Sequence, residues 1–170
     1  MRRHFRIILG LVALCLAQPV AAQTSVATGG FRNADPDAPV EVTSDQLDLT
    51  RDAGTALFTG NVVAVQGDMR LSAQWVLVEY VVLEDGSLGS DIKTITARDD
   101  VLLVTPEEAA EGDEAIYTPL SNEVVMTGNV LLTQGANTVA GERLVVDLET
   151  GIGQVAGRVR TILQPQDEQP

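Results

Sequence analysis

The stretch "FTGNVVAVQG" at residues 58–67 returns, with few changes, as "MTGNVLLTQG" at residues 126–135. Both copies keep Thr-Gly-Asn-Val and Gln-Gly at the same spacing. Self-similarity at a fixed offset is the signature of a chain built from repeated structural units. The repeat therefore determines which folds the rest of the chain can adopt.

Two weaker copies extend the repeat. "ARDDVLLVTP" at residues 97–106 stands where another copy is expected, and "AGRVRTILQ" at residues 156–164 closes the series. The spacings between unit starts are 29, 39 and 29 residues, and the longest contains the insertion "LEDGSLGSDIKT" at residues 83–94. An insertion in one connection leaves a stacked unit intact, so the sequence predicts four tandem units. The units begin near Ser44, Ala73, Gly112 and Gly141.

The folded part of the chain has the composition of β-strands. Val, Ile and Thr dominate its short apolar runs, and turn residues such as Asp52-Ala53-Gly54 and Glu84-Asp85-Gly86 interrupt them at short intervals. Helical spacing of apolar residues is not sustained in any stretch of this region. Because short connections let sequence neighbours pair antiparallel, we predict an all-β fold of consecutive antiparallel strands.

The alternation within the units predicts which side chains face inward. Equivalent positions carry aliphatic residues two apart, which places them on one face of a pleated strand. Arg160 falls between two such positions, and a slip of one residue would bury its charge, so the register is fixed. We therefore predict an apolar interior that Phe58 and Tyr117 partly fill. The residues predicted to line it are Leu47, Leu49, Phe58, Val62, Ala64, Val76, Val78, Val101, Leu103, Tyr117, Val130, Leu132, Leu144, Val146 and Val159.

The pairs Gly60-Asn61 and Gly128-Asn129 interrupt strand patterns at equivalent points of two units. Gly adopts positive φ without a steric penalty and Asn tolerates the left-handed region, so each pair indicates a β-bulge or a plain turn. Bulges at these points would bend equivalent strands and curve the sheet. A further unit carries Asp99-Asp100 at the same point.

The first residues have the features of a signal peptide. A basic start is followed by an apolar run at residues 7–17 and by Val20-Ala21-Ala22, the small residues that signal peptidase requires. The run falls short of the roughly 20 residues that a spanning helix needs. We predict a cleaved signal peptide at residues 1–22, a mobile arm at 23–38, a β domain at 39–164 and a disordered tail at 165–170.

Composition excludes several classes of function. The chain has 24 acidic against 11 basic residues and a net charge of −13, which disfavours nucleic acid as a partner. The only histidine, His4, and the only cysteine, Cys15, both lie in the predicted signal peptide. The domain therefore lacks the residues for His/Cys metal sites, Ser-His-Asp or Cys-His catalysis and disulfides. We expect a protein that is not an enzyme and has neither a cofactor nor a metal.

Carboxylates are the remaining candidates for catalysis. Glu107-Glu108, Glu111 and Asp113-Glu114 cluster in a segment predicted to be a loop, without the spacing of a calcium-binding loop. We interpret the cluster as a solvated surface. A glycosidase with two carboxylates about 5 to 9.5 Å apart is not excluded by the sequence, although no motif indicates one.

An apolar interior repeated in every unit favours a long-chain lipid as the ligand. Each buried CH₂ group contributes roughly 0.8 kcal/mol, so a few acyl chains would provide ample affinity. The alternative is a secreted β-stack polysaccharide-binding protein or enzyme, although the few aromatic residues give little support for sugar stacking. A purely structural filament is a third possibility.

The segment "VEVTSDQLDLTRDAGTALFTGNVVAVQGDMRLSAQWVLVEY" at residues 40–80 resembles the OstA-like family of lipopolysaccharide-transport proteins. The similarity extends from about residue 40 to residue 163. The positions that carry the family motif are Ser44, Asp45, Leu47, Leu49, Ala56, Phe58, Gly60, Asn61, Val62, Gln66, Gly67 and Ala73.

The resemblance implies a twisted, V-shaped β jelly roll, open at both ends, located in the periplasm. It also implies that the interior holds the lipid A acyl chains of lipopolysaccharide while the sugar head stays outside. Copies would join end to end as a homo-oligomer, between an inner-membrane LptC-like subunit and an outer-membrane LptD-like receptor. Within the family, an anchored LptC-like subunit and the amino-terminal domain of the receptor are the rival assignments.

The chain departs from the family pattern at Asp99-Asp100, in the enlarged connection around Gly86 and in its acidic charge. The charge argues against a direct clamp on lipid phosphates. Arg158 and Arg160 are the best candidates for such a contact, and divalent ions are an alternative bridge.

Overall fold

The computed structural model describes residues 23–28, 30–31 and 38–164. These residues form eleven antiparallel strands in a single sheet, which confirms the predicted all-β fold of consecutive strands. The predicted signal peptide and the tail at residues 165–170 lie outside the described residues. The strands are β1 (Gln23–Ala27), β2 (Val40–Thr43), β3 (Gln46–Thr50), β4 (Thr55–Gln66), β5 (Met69–Val82), β6 (Leu88–Val104), β7 (Glu108–Thr118), β8 (Glu123–Gln134), β9 (Asn137–Asp147), β10 (Ile152–Ala156) and β11 (Arg160–Ile162).

The strand order is β1-β10-β9-β8-β7-β6-β5-β4-β2, with β3 also paired to β4 and β11 also paired to β9. From β4 to β10 every strand lies beside its neighbours in the sequence. One edge of the sheet is formed by β2 and β3. The opposite side, which we call the β10 edge, ends in β11 and in β10, which β1 covers. The first strand, β1, breaks the sequential order, since it pairs with β10 at that opposite edge.

The repeated Gln-Gly dipeptides are the ends of two tight hairpins. Gln66 pairs with Met69 and Gln134 pairs with Asn137, so each loop has two residues. Gly67 and Gly135 have φ values of 56° and 57°. Positive φ at the first loop residue suits the twist of a two-residue hairpin, which explains why glycine stands there.

The repeated Gly-Asn dipeptides are corners within strands. Gly60 and Asn61 have φ values of 77° and 46°, and the register between β4 and β5 shifts between Thr59 and Val62. The same shift and the same backbone angles recur at Gly128-Asn129. These are the bulges that the sequence indicated, rather than plain turns.

The corner in β6 is built from two carboxylic acids. Asp99 and Asp100 have φ values of 62° and 56°, so they adopt the conformation of Gly-Asn at the other corners. Left-handed backbone is tolerated by Asp because its short polar side chain bonds locally. The departure noted in the sequence therefore changes the charge of the corner and leaves its backbone unchanged.

A single buried cluster of aliphatic side chains holds the sheet together. It includes Val78 and Val146 on one side of the corners and Leu103 and Leu132 on the other. Because residues from both sides of the corners belong to one cluster, the two halves of the bent sheet face each other. We call the surface that they share the inner face.

Two sequence-based assignments are wrong. The segment predicted as a mobile arm contains β1, and Phe31 within it is fully buried. The acidic segment predicted as a loop is strand β7 from Glu108 onwards, and Glu108 is only 8% exposed, whereas Glu107, Glu111 and Asp113 are exposed as predicted. Strand β1 is ordered by β10, which lies far away in the sequence, and β7 is ordered by its neighbours β6 and β8. Local composition reveals neither pairing.

Candidate functional site

The inner face is continuous across the sheet because side chains directly opposite each other on paired strands point to the same side. One row begins at the β3 edge with Leu47, which pairs with Phe58. Its remaining members follow in strand order. They are Val76, Ala97, Ala115, Met126, Leu144 and Val155.

Burial along this row changes from one end to the other. Leu47 is 47% exposed, and Leu49 in the next row is 70% exposed. Met126, Leu144 and Val155 are completely buried. The apolar surface is therefore open to water at the β3 edge and closed by its own side chains towards β10.

All fifteen residues predicted to line the interior lie on the inner face. Phe58, Tyr117 and Val159 pack against the core from partly buried positions, Ala64 is also half-buried, and the remaining β4–β9 positions are buried. Leu47 and Leu49 are the exceptions, since they face inward and remain exposed. Contact of these side chains with a lipid stays a prediction.

Several members of the inner face were not predicted from the sequence. Met126 occupies the place of Phe58 in the repeat and is completely buried. The repeat itself could have identified it, because both residues directly precede Thr-Gly-Asn. Val155 and Phe31 carried no comparable signal, since their burial depends on β1 and on the segment that follows it.

The inner face ends in polar residues beside the β6–β7 turn. Gln134 Nε2 donates a hydrogen bond to Glu108 Oε1 at 2.8 Å and another to the carbonyl oxygen of Ala27. Thr105 Oγ1 accepts a hydrogen bond from the Glu108 amide at 3.2 Å. This polar end meets the segment that follows β1.

The outer face carries the exposed charges. Arg98 Nε lies 2.6 Å from Glu114 Oε2, and the Arg98 guanidinium stands 4.9 Å from the centroid of the Trp75 ring. A further corner lies at Gly157-Arg158 between β10 and β11, where the φ values are 81° and 44°, and Arg158 pairs there with Glu142 at 3.7 Å. In the part of the chain that the structure describes, no group of His, Cys, Asp and Glu side chains is arranged to hold a metal ion.

An open depression of about 360 Å³, lined by both polar and apolar side chains, lies on the other surface of the sheet. It lies between β8, β9 and β10 and is bordered by Glu123, Val145 and Asp147. Val145 alternates with the buried Leu144 and Val146, so the depression is outside the inner face. It includes none of the residues predicted to contact a lipid.

Burial also affects one titratable group of the inner face. Desolvation raises the pKa of Tyr117, since removal from water disfavours the phenolate. Its hydroxyl donates a hydrogen bond to Asn122 Oδ1 at 3.3 Å. Tyr117 is therefore neutral at physiological pH and adds no charge to the apolar surface.

The family profile described as "LptA/(LptD N-terminal domain) LPS transport protein" matches residues 41–152. The chain belongs to this family. The match confirms the resemblance that the sequence motif indicated. Members of the LptA family are transport proteins and not enzymes, so the expectation of a non-enzymatic protein is also confirmed.

Two similar proteins cover most of the chain, and the second of them carries a lipopolysaccharide-export name. A Rhizobium meliloti protein is 34% identical over 167 residues, covering 94% of this chain and 89% of the relative. The lipopolysaccharide export system protein LptA of Escherichia coli K12 is 25% identical over 143 residues, covering 79% of this chain and 76% of that protein.

The fold matches that of a solved relative. The crystal structure of LptH, the LptA-homologous periplasmic component of the lipopolysaccharide transport device of Pseudomonas aeruginosa, superimposes with a TM-score of 0.68. The match is 22% identical in sequence and covers 78% of this chain and 99% of LptH. The predicted jelly-roll-like architecture is thereby confirmed. Within the described residues, no helix has the length and hydropathy needed to cross a membrane.

Proposed function

We propose that the protein shields the acyl chains of lipopolysaccharide on its inner face and passes the lipid between the two membranes. The protein is periplasmic, as are LptA and LptH. The observation that carries the proposal is an apolar surface that runs from the open β3 edge into the buried centre. Each acyl CH₂ group that leaves water on this surface contributes roughly 0.8 kcal/mol.

Lipid would enter at the open edge, because Leu47 and Leu49 already present an unburied apolar surface there. Deeper entry requires the two halves of the sheet to separate, since side chains such as Val62 and Leu132 are 1% and 0% exposed. Many inner-face residues are Val and Ala, whose short side chains now contact each other across the two halves. Acyl chains between the halves would take the place of these contacts. No chemical step is involved, and the energy comes from elsewhere in the pathway.

Photo-crosslinking in cells tests lipid binding. A crosslinking amino acid at Leu49, Val62, Val76, Leu132 or Val146 is expected to label lipopolysaccharide, and one at Asp48 or Arg160 is not. Leu120 provides a matched control, since it is 99% exposed and lies in the β7–β8 turn, away from the inner face. Equal labelling from Leu49 and Leu120 would contradict the proposal.

Purified components separate this function from the polysaccharide-binding alternative. Lipid A is expected to bind to the protein, and the delipidated oligosaccharide is not. Saturable binding of the oligosaccharide that does not depend on acyl chains would favour the alternative.

We also propose that copies join end to end and that the terminal copies meet an LptC-like subunit and an LptD-like receptor. The support lies in the edges of the sheet. Among the strands that the structure describes, β2 and β3 each pair with β4 alone, and β11 pairs with β9 alone. Such edges present unpaired backbone groups, which form β-augmentation contacts with the edges of other proteins.

Sedimentation equilibrium tests the end-to-end contact. The wild-type protein is expected to associate as its concentration rises, and Leu49→Lys is expected to weaken association because a charge would enter the joint. Leu120→Lys adds the same charge away from the edges and should leave association unchanged. Loss of association in both variants would show that net charge, and not the edge, controls it.

A further inference from the structure

The edge formed by β10 is already occupied by the chain itself. Strand β1 pairs with β10 along its whole length, from Gln23 opposite Ala156 to Ala27 opposite Ile152. Thr24 lies opposite Val155 and Val26 opposite Gly153, so both side chains continue the rows of the inner face. The opposite edge has no such strand within the described residues.

The segment after β1 spans the gap between the two halves of the sheet. The Thr28 amide donates a hydrogen bond to the Gly151 carbonyl at 2.8 Å, beside β10. Gly30 packs on the other half, where a β-carbon would lie 2.9 Å from both Glu108 Cγ and Thr105 Oγ1. Phe31 is completely buried in the core cluster. The described residues between Gln23 and Phe31 thus cover the β10 edge and fill the adjoining end of the inner face, and we call them the cap.

The edge is shaped to receive the cap. A β-carbon on Gly153 would lie 2.6 Å from Thr28 Cγ2, closer than side chains approach each other, and 3.1 Å from Val26 Cγ2, which is tighter than most such contacts. Any other residue at position 153 would therefore push the cap away. The fit makes the pairing of β1 with β10 a specific contact.

The contact also carries a free-energy cost that release would remove. Thr28 Oγ1 and Glu108 Oε2 are buried without a hydrogen-bond partner among the described residues. Unpaired buried polar groups are destabilising because they have lost water without replacement. When the cap leaves, both atoms return to water. A five-residue strand with this cost is suited to replacement by another strand.

We propose that the cap is displaced when a second copy of this chain docks its β2/β3 edge on β10. The inference rests on the proposed end-to-end contact and adds the step that frees the β10 edge for pairing with another copy. The incoming edge carries Leu47 and Leu49 on the inner face, where Thr24 and Val26 of the cap now lie. Exchange would exclude water from these exposed leucines and would leave the inner face continuous from one copy to the next.

A disulfide lock tests the exchange in the full chain. Ser25 and Gln154 are directly opposite each other and both are exposed, so Ser25→Cys with Gln154→Cys would tie β1 to β10. Antiparallel partners lie within the distance that a disulfide spans. The natural chain has no cysteine except Cys15, so the bond would be unique in the exported protein. A control pair, Glu111→Cys with Leu131→Cys, links the central strands β7 and β8 on the outer face.

Sedimentation equilibrium gives the readout. The oxidised lock is expected to raise the dissociation constant for self-association at least about tenfold, and reduction is expected to restore the wild-type value, because only the uncapped fraction associates. The control pair should behave as wild type in both states. A second variant, Phe31→Ala, loosens the cap and is expected to lower the dissociation constant.

The possible failures are distinct. If the oxidised lock associates as strongly as its reduced form, the cap does not control the edge, whereas the end-to-end contact still stands. If the wild type, the reduced lock and Phe31→Ala all remain monomeric, the end-to-end contact is itself absent and the proposed exchange is overturned with it.

Discussion

The two edges of the sheet differ in burial although both carry apolar residues on the same face. At the β3 edge, Leu49 remains 70% exposed. At the β10 edge, Val155 is completely buried because β1 lies beside it and Phe31 fills the adjoining space. Whether an edge residue is buried is therefore decided by the strand that covers it and not by its own hydrophobicity.

The largest difference in the free energy of unfolding should come from truncating one leucine near each edge of the sheet. Leu144→Ala, next to the covered edge, is expected to reduce the free energy of unfolding by about 2–5 kcal/mol, since it leaves a cavity in a closed region. Leu49→Ala at the open edge should change it by less than about 0.5 kcal/mol. Urea denaturation measures both. Similar losses in the two variants would mean that the β3 edge is covered in solution.

Substitution of the corner glycines should reduce the free energy of unfolding by an intermediate amount. The loss should be equal at the corner beside the β3 edge and at the corner beside the β10 edge. Gly60→Ala and Gly157→Ala both force a side chain into positive φ, at 77° and 81°. Each β-carbon would also crowd a neighbour, 2.9 Å from Asp45 Cβ or 2.6 Å from Glu142 Cβ. We expect losses of about 1–3 kcal/mol in thermal or urea denaturation.

Gly135→Ala is the control for the corners, since its φ is also positive but the space around it is open. Gly135→Ala should reduce the free energy of unfolding by less than either corner variant. A much larger loss at Gly157 than at Gly60 would show that the cap also stabilises the corner next to it.

The smallest effect on stability should come from protonation of Asp147, the last residue of β9 before the β9–β10 turn. Hydrogen bonds from Thr150, above all from its backbone amide, lower the pKa of this exposed carboxyl. Because the folded pKa is lowered, the stabilisation is present above the ordinary pKa of 3.8 and disappears as the pH falls through the lower folded pKa. NMR titration of the carboxyl should give a midpoint below that of a model peptide.

Asp147→Asn should speed hydrogen exchange in β10 and β1 at neutral pH, with the difference from wild type vanishing in acid. Asp85→Asn is the control, because hydrogen bonds from Ser87 lower the pKa of Asp85 in the β5–β6 turn, far from β10. Equal exchange effects in β10 from the two variants would refute a local role for Asp147.

The repeat allowed much of the fold and of the inner face to be predicted. Gly60-Asn61 and Gly128-Asn129 identified the corners because their φ requirement is local, and alternation identified inward positions because it is periodic. Exposure at Leu49 could not be predicted, since it depends on the absence of a covering strand. Strand β1 was missed because five residues without clear alternation gave no sign of a partner at the far end of the chain. Glu108 was assigned to the surface because carboxylates are rarely buried.

The position of β1 also determines the order in which the sheet can be completed. From β4 to β10, each strand finds its partner close by in the sequence, so this part can grow one hairpin at a time. The pairing of β1 with β10 joins the two ends of the domain, and a contact between residues so far apart in the sequence costs more loop-closure entropy than a hairpin. We therefore expect β1 to pair after strands β4 to β10 have formed, so that a newly made molecule passes through a stage in which both flanks of its sheet are bare.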